Sequence, residues 1–482
     1  MKIKPRSLPL ICSVCLLIGA TNAALASNLH FRPVGDAPDG TNPVAGGSYL
    51  WDTTLTNWYS AASGGTATAW NNSQADTAIF ERVVGTYTVN LATGITVGGI
   101  STTFPATSVN PSNIILQSLD LETRQTLNLS GATINNNARF LTFQNLNVSG
   151  NFTHTGSGLL LVDNSVVFTG RVTVSAPGTG GVLVANTTSA NAVDVYLTAG
   201  SVSLNANAAT IVRLSGTTGN ITRSTNGAGG TLTLNQTQNT TFGGRFANSN
   251  NTLNFTKDGA GTFIMNGSDN HQLGGPAMLN VTAGSFYLGG SLAEVGTGTL
   301  NVASGATFGG TVVTSKTLIL GAANSIITPG MATLDLSENV ENHAGVLTLA
   351  NGITGANGGT FNFYMDEDAG GLVNSLIDIT GGTVTLAGTK TVNLFGLNAG
   401  LLQTGVAYTL FDADGAASRI AGWDLGWTLN GNTTGLDVDS FGFVGNELQV
   451  VFVPEPATGA LILLGALALA VRRRRPCAST WN

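Results

Sequence analysis

Residues 127–131 read Leu-Asn-Leu-Ser-Gly, and residues 146–150 repeat the pattern as Leu-Asn-Val-Ser-Gly. The alternation of apolar and polar residues indicates a short strand with one buried face, and the glycine is typical of a turn. The pattern recurs mostly every 17 to 21 residues, with longer steps of 26 to 37 residues. Its copies begin at Leu127, Leu146, Val166, Val195, Val212, Leu232, Leu253, Leu279, Leu300, Leu318, Leu347 and Val384.

A spacing near 20 residues suits one coil of a β-solenoid, in which two or three short strands pair with the coils above and below. We therefore predict an all-β protein with a β-solenoid over residues 91–390. Open end coils would be exposed sheet edges, so we expect caps at 27–90 and 391–453. A string of β-sandwiches is the alternative, since sandwiches also have short strands at turn spacing.

The expected caps are rich in tryptophan. Trp51, Trp58 and Trp70 lie in the first, and Trp423 and Trp427 in the second. Cap packing is the favoured interpretation of these residues, and a platform on which sugars stack is the sharper alternative.

Composition excludes several classes of protein. Of 482 residues 64 are glycine, only 9% are charged and 42% are hydrophobic. These values exclude a collagen-like chain, a charged disordered tail and a coiled coil. Without the basic residues of the two ends, 12 basic residues face 26 acidic ones, a net charge near −14 that disfavours nucleic acid. The cysteines Cys12, Cys15 and Cys477 all lie in those ends, so the body has no disulfide.

The N-terminus has the three parts of a secretory signal peptide. Lys2, Lys4 and Arg6 precede an apolar stretch over residues 8–20, and Ala24-Leu25-Ala26 supplies small residues at a cleavage site. We predict cleavage by way of the secretion translocon after Ala26, with residues 1–26 removed. The alternative, an N-terminal membrane anchor, needs a longer apolar run.

The C-terminus carries a second signal. Pro454, Glu455 and Pro456 precede fifteen uncharged residues, 457–471. A cluster of arginines follows: Arg472, Arg473, Arg474 and Arg475. We predict a C-terminal hydrophobic helix that anchors the chain transiently in the membrane, with residues 476–482 as a cytoplasmic tail.

Together, the proline motif, apolar helix and arginine cluster of residues 454–475 resemble the PEP-CTERM sorting signal of Gram-negative bacteria. The resemblance implies that an exosortase-like membrane peptidase cuts near the motif and releases or re-anchors the protein outside the cell. It implies a sorting route and no activity.

A second resemblance covers residues 255–267, Phe-Thr-Lys-Asp-Gly-Ala-Gly-Thr-Phe-Ile-Met-Asn-Gly, and 279–288, Leu-Asn-Val-Thr-Ala-Gly-Ser-Phe-Tyr-Leu. This stretch is similar to the autotransporter-associated β-strand repeat. The resemblance implies a right-handed parallel β-helix of the passenger type.

Residues that carry chemistry are few. His30, His154, His271 and His343 are far apart and form no metal-binding motif. Three acidic groups remain: Asp366-Glu367-Asp368, Asp412 with Asp414, and Asp437 with Asp439. Turns are the favoured interpretation, and calcium binding or paired catalytic carboxylates are the alternatives. We predict no catalytic residue, no cofactor and no metal site.

The sequence thus predicts an exported structural or adhesion-type protein that is not an enzyme. After transient anchoring in the inner membrane it would lie at the cell surface, outer membrane or extracellular matrix. The expected partners are an exosortase-like peptidase, the secretion translocon and extracellular polysaccharide. A polysaccharide lyase or glycosidase on the same β-helix, or a polysaccharide-binding module, is the alternative.

Overall fold

A computed structural model describes residues 26–453 with several gaps, together with Leu467 and Leu469. The gaps are 33–45, 62–64, 82–84, 103–112, 121, 164, 178–179, 185–192, 205–207, 224–229, 248–251, 268–269, 274–275, 293–297, 369–370 and 397–401. For 183–184, 366–368 and 371–373 only the backbone is described.

The described chain forms 49 strands. The first sixteen are β1 Asn28–Phe31, β2 Ser48–Trp51, β3 Trp58–Tyr59, β4 Ala67–Thr68, β5 Thr77–Phe80, β6 Thr86–Leu91, β7 Ile95–Thr96, β8 Gly99–Thr102, β9 Asn113–Ser118, β10 Gln125–Asn128, β11 Thr133–Asn136, β12 Phe140–Gln144, β13 Leu146–Ser149, β14 Phe152–Thr155, β15 Leu159–Val162 and β16 Val167–Phe168. The next seventeen are β17 Arg171–Ser175, β18 Gly181–Val184, β19 Val193–Ala199, β20 Ser201–Leu204, β21 Ala208–Gly216, β22 Asn220–Arg223, β23 Gly230–Asn235, β24 Thr240–Phe242, β25 Arg245–Phe246, β26 Leu253–Asp258, β27 Thr262–Met265, β28 Leu279–Val281, β29 Ser285–Leu288, β30 Ser291–Leu292, β31 Thr299–Val302, β32 Thr307–Gly310 and β33 Val313–Thr314. The last sixteen are β34 Thr317–Leu320, β35 Ile326–Pro329, β36 Ala332–Leu334, β37 Val340–Asn342, β38 Val346–Leu349, β39 Gly352–Gly355, β40 Gly359–Asp368, β41 Gly371–Asn374, β42 Leu376–Ile379, β43 Thr383–Leu386, β44 Lys390–Gly396, β45 Ala407–Asp412, β46 Ser418–Arg419, β47 Trp427–Asn432, β48 Asp437–Val444 and β49 Glu447–Val453.

Most strands stack in parallel into three faces, and the chain visits the faces in the same order in each coil. Face 1 contains β7, β10, β13 and β16, and then the first half of β21, β23, β26, β28, β31, β34, β39, β43 and β46. Face 2 contains β1, β5, β8, β11, β14, β17, β19, the second half of β21, β24, β27, β29, β32, β35, β40, β44 and β47. Face 3 contains β2, β6, β9, β12, β15, β18, β20, β22, β25, β30, β33, β38, β42 and β45, with two bridges joining β25 to β30.

This arrangement confirms the predicted all-β fold with long parallel sheets and is consistent with a β-solenoid. Nine of the repeat copies, including Leu127 and Leu300, lie on or directly before a face-1 strand. Val195 lies on face 2 and Leu347 on face 3, while Val212 lies within β21 where the chain passes from face 1 to face 2. The pattern therefore marks strands of a coil, and mainly those of face 1.

Hairpin insertions explain the longest steps between repeat copies. Between Leu318 and Val384, face 1 contains Ile353, which pairs with both in register. The two coils that it separates carry the antiparallel hairpins β36–β37 and β40–β41. These coils are long because a hairpin is added at one corner, while the pairing along the axis continues.

The main core is one continuous column of inward side chains, and Ile264, Tyr287 and Ala332 form a separate small cluster. On face 2, Phe263, Phe286 and Phe308 occupy equivalent positions on successive coils and are fully buried. Their ring centroids lie 5.5 Å and 6.0 Å apart. Such stacking buries large apolar area and compensates for the absence of disulfides in the body.

Antiparallel strands lie at both ends of the described chain. At the start, β3 pairs with β1 and β4. At the other end, β49 pairs with β45 and β48. The domain boundaries at 90 and 390 stay predictions. Parallel pairing continues past both positions, from β1 with β5 to β44 with β47.

The predicted C-terminal helix over residues 457–471 falls almost wholly outside the described residues. Among the residues that are described, no helix has the length and apolar character needed to cross a membrane.

Candidate functional site

The folded body leads directly into the C-terminal signal. Strand β49 is paired on both sides, and its inward residues Leu448, Val450 and Phe452 are fully buried. The strand ends at Val453, one residue before Pro454, which cannot donate a ladder hydrogen bond. The predicted signal residues lie outside the described residues: Pro454, Glu455, Pro456, Arg472, Arg473, Arg474 and Arg475.

The predicted N-terminal cleavage site lies beside the first strand. Ala24 is outside the described residues, and Ala26 is exposed. The backbone amide of Ser27 donates to Oδ1 of Asp76 at 2.7 Å, although Asp76 is only 1% exposed. A peptide bond before Ser27 therefore lies at the surface, next to a buried carboxylate.

One of the three acidic groups forms a compact cluster. Carboxylate oxygens of Asp412, Asp414 and Glu447 lie within 4.8 Å of one another. Asp412 and Glu447 are cross-strand partners on β45 and β49, which is why the spacing in sequence did not reveal Glu447. Each carboxylate accepts a hydrogen bond from the chain: Asp412 from the amide of Asp414, Asp414 from Asn446, and Glu447 from Thr409.

The neighbouring coil adds negative charge to this cluster. Asp378 on β42 pairs in register with Asp412. Partial burial raises the pKa of Asp378, and the negative charge of Asp412 raises it further. Oxygen-rich clusters of this kind can hold a cation, and one oxygen of each of the three carboxylates accepts a hydrogen bond.

Asp437 and Asp439 lie outside this cluster. Asp437 and Asp439 are exposed on β48. Asp366, Glu367 and Asp368 form the end of β40, and their side chains lie outside the described part of the structure.

Three of the four histidines make separate local contacts. His30 lies 2.6 Å from Glu81, His271 contacts the carbonyl of Gly289, and His343 contacts Thr333. His154 is fully buried on β14, and neither of its ring nitrogens has a hydrogen-bond partner within the described structure. Burial lowers the pKa of His154 to about 4, so the ring is neutral at pH 7.

The tryptophans of the N-terminal region do not offer a sugar-stacking platform. Trp51, Trp58 and Trp70 are at most 1% exposed, and their ring centroids lie 4.7 Å to 5.1 Å apart. The alternative interpretation of these residues is wrong, because a sugar needs an exposed ring face.

The structure reveals a role for lysine that sequence reasoning missed. Lys257, Lys316 and Lys390, the three lysines of the body, are each at most 1% exposed. Lys257 Nζ donates to the carbonyls of Asp258 and Gly259 at 2.8 Å and of Ala283 at 3.3 Å. These lysines bind corner carbonyls inside the solenoid. The sequence could have indicated this for Lys257, because the residue occupies an inward position in the alternation of β26.

Nearby negative charge offsets the burial of the Lys257 ammonium group only in part. Burial lowers the pKa of Lys257 to about 8, and the nearby charge of Asp258 opposes this effect. The group thus joins the corner after β26 to the corner after β28 and is not available at the surface.

Comparison with known proteins agrees with both resemblances. Residues 452–475 match the PEP-CTERM protein-sorting motif. Over 186 residues, 37% of this chain, the sequence is 32% identical to the adhesin BmaC autotransporter of Brucella suis biovar 1 (strain 1330). The chain spans about 5% of the length of that relative, and no solved structure matches. The chain carries a PEP-CTERM sorting motif, which indicates an exported protein sorted by an exosortase, and part of its body is similar to an autotransporter adhesin.

Proposed function

We propose that the protein is an adhesion-type structural rod of the cell surface or extracellular matrix, built as a right-handed β-helix and without catalytic activity. The observation that carries the proposal is that the sorting motif directly follows the folded body along the chain. Parallel coils extend to β47, β49 ends at Val453, and the sorting motif spans 452–475. The similarity to an adhesin supports an adhesive role for the body.

The proposed route has two processing steps. A signal peptidase cuts after Ala26 during export through the translocon. The C-terminal helix then holds the chain transiently in the inner membrane, and an exosortase-like peptidase cuts near Pro454–Pro456. A body of paired strands stabilised by core stacking suits exposure outside the cell, because it does not depend on disulfides.

Intact-mass measurement and C-terminal sequencing of the protein from fractionated native cells test this route. We expect a chain that begins at Ser27, lacks the arginine cluster and is found in the surface or matrix fraction. Replacing Arg472, Arg473, Arg474 and Arg475 by glutamine should leave the C-terminus uncut. Arg124→Gln in the body is the matched control. Native protein found in the cytosol with its arginine cluster intact would overturn the proposal.

A further inference from the structure

One hairpin lies across the outside of several coils. The hairpin β36–β37 follows directly after β35 and pairs residues 332–334 with 340–342. We call residues 331–343 the strap. Its tip reaches back to β21, where Nη2 of Arg213 lies 3.8 Å from Oε1 of Glu338. Between β35 and β21 on face 2 lie β32, β29, β27 and β24, so the tip is five coils away from the coil in which the strap begins.

The dimensions of the strap agree with this path. Five coil spacings of about 4.8 Å amount to roughly 24 Å, and residues 331–338 span about 23 Å at about 3.3 Å per residue in an extended strand. Asn239, directly before β24, lies under the tip as well. Its Nδ2 donates to the carbonyl of Glu338 at 2.9 Å, although the two residues are 99 positions apart in the sequence.

Apolar side chains fill the space beneath the strap. Ile264 on β27 and Tyr287 on β29 are in register and are only 1% and 4% exposed, although the residues on either side of them belong to the main core. They therefore point outward and are covered from outside, in a cluster with Ala332 of the strap. Three further apolar residues of the strap pack against this cluster: Met331, Leu334 and Val340.

The next coil leaves room for the ring of Tyr287. Gly309 on β32 is the registered neighbour of Tyr287, and a Cβ at this position would lie 2.6 Å from the tyrosine ring. Glycine thus allows the ring to lie along the outer surface of face 2, where the strap covers it.

The tip of the strap is held in one conformation. Oδ1 of Asp335 accepts from the amides of Ser337 at 2.7 Å and Asn339 at 2.8 Å, and Oδ2 accepts from Nδ2 of Asn339 at 2.8 Å. Glu338 has a φ of +61°, a left-handed conformation that favours glycine. The same residue makes both contacts with distant coils, so the backbone strain lies where the strap is anchored.

In a solenoid each coil contacts only its neighbours, so coils can open one at a time. The strap instead connects the coil of β35 with the coils of β29, β27, β24 and β21. We propose that the strap makes the coils from β21 to β35 open as one cooperative unit. In a rod of the proposed surface type, a pull on one end would then not open these coils singly, although the coupling itself does not depend on that function.

Native-state hydrogen exchange of the full-length protein in increasing urea, followed by mass spectrometry, tests the proposal. In the wild type we expect β24, β27 and β29 to become exchangeable over the same range of urea as β35. Leu334→Ser with Val340→Ser removes apolar side chains from the strap. In this variant exchange of β24 and β27 should be at least about tenfold faster. Strands β11 and β14, which lie outside the strapped coils, should keep their wild-type rates.

The matched control is Leu159→Ser with Leu161→Ser, which removes two half-buried outward leucines from β15 on face 3. We expect this control to leave the exchange of β24 and β27 unchanged. Asn239→Asp is a milder variant that serves if the double variant of the strap does not fold. It keeps an oxygen that accepts from the amide of Thr262 and loses the bond to Glu338. It should speed the exchange of β29, two coils away, about fivefold.

Three results would overturn the proposal. The first is a wild type in which β24 and β35 become exchangeable at clearly different urea concentrations. The second is a strap variant in which β24 and β27 exchange no faster than in the control. The third is an Asn239→Asp variant in which β29 exchanges at the wild-type rate, since the effect of the anchor would then be local.

Discussion

The backbone nitrogen of Ser27 lies 2.7 Å from Oδ1 of Asp76, and Asp76 is buried beside it at the start of β5. The amide of Thr77 donates in turn to the carbonyl of Ser27 at 2.9 Å, which fixes Ser27 in register. Cleavage after Ala26 would convert the Ser27 amide into an ammonium group facing this carboxylate. Signal-peptide removal and the stability of the N-terminal coil would then be linked.

Asp76→Asn should therefore destabilise the processed protein more than a form that retains Ala26. A hydrogen bond to a charged carboxylate contributes about 1.5–3 kcal/mol with either donor, and in the processed protein the attraction between the ammonium charge and the carboxylate adds to it. Urea unfolding followed by tryptophan fluorescence reports on this end, where Trp51, Trp58 and Trp70 cluster. If Asp76→Asn lowered the stability of both forms equally, the charge of the new N-terminus would not contribute to it.

Lys257→Met should destabilise the solenoid by about 2 kcal/mol, because three corner carbonyls lose a buried donor. Arg245→Met is the control, since it removes an exposed cation from the neighbouring coil. Urea midpoints of the two variants provide the comparison. A Lys257 variant as stable as the control would mean that the carbonyls find other donors.

Acid should weaken the protein through His154. The folded-state pKa, about 4, lies below the ordinary value of 6.5, so between these pH values the unfolded chain binds the extra proton. Stability contributed by the neutral buried ring is therefore present above pH 6.5 and falls as the pH drops toward 4. The expected loss at pH 5 is about 2 kcal/mol relative to pH 7.

His154→Leu removes this titration and is the matched comparison. The difference in urea midpoint between pH 7 and pH 5 should be smaller in the variant than in the wild type. An identical pH dependence in both proteins would assign the acid sensitivity to other groups.

Gly284→Ala should destabilise the protein more than Gly305→Ala, although both glycines have left-handed backbone conformations, with φ of +63° and +74°. A Cβ at Gly284 would lie 2.5 Å from the carbonyl oxygens of Gly259 and Gly261, whereas at Gly305 it meets nothing within 4 Å. We expect Gly305→Ala to lower the free energy of unfolding by about 1 kcal/mol, and Gly284→Ala to lower it by at least about 1 kcal/mol more. Thermal midpoints measure the difference, and equal shifts would contradict close stacking of the corners.

Register shows where sequence reasoning stops. The repeat copies suggest that Leu127 is equivalent to Leu146, but the structure pairs Leu127 with Val148. For Leu279, Leu300 and Leu318 the equivalence predicted by the repeat is correct. A shift by two residues leaves the inward and outward faces unchanged, so alternation alone cannot select between the two registers.

Some candidate sites can be predicted from the sequence, and others need the tertiary structure. Sequence patterns suffice for the sorting signal, because its proline motif, apolar segment and arginine cluster are contiguous. The proximity of Glu447 to Asp412 depends on strand pairing between residues distant in the chain. Burial of all three body lysines also depends on where corners from neighbouring coils meet.

The amino-acid sequence by itself determined the strand period, the all-β class and the sorting motif, because each is written in residues close together along the chain. Only the tertiary structure decided which coils pair in which register and which side chains are enclosed. The physical reason is that backbone pairing between coils joins residues roughly one coil apart, and turn geometry and packing select that pairing from alternatives with the same local pattern.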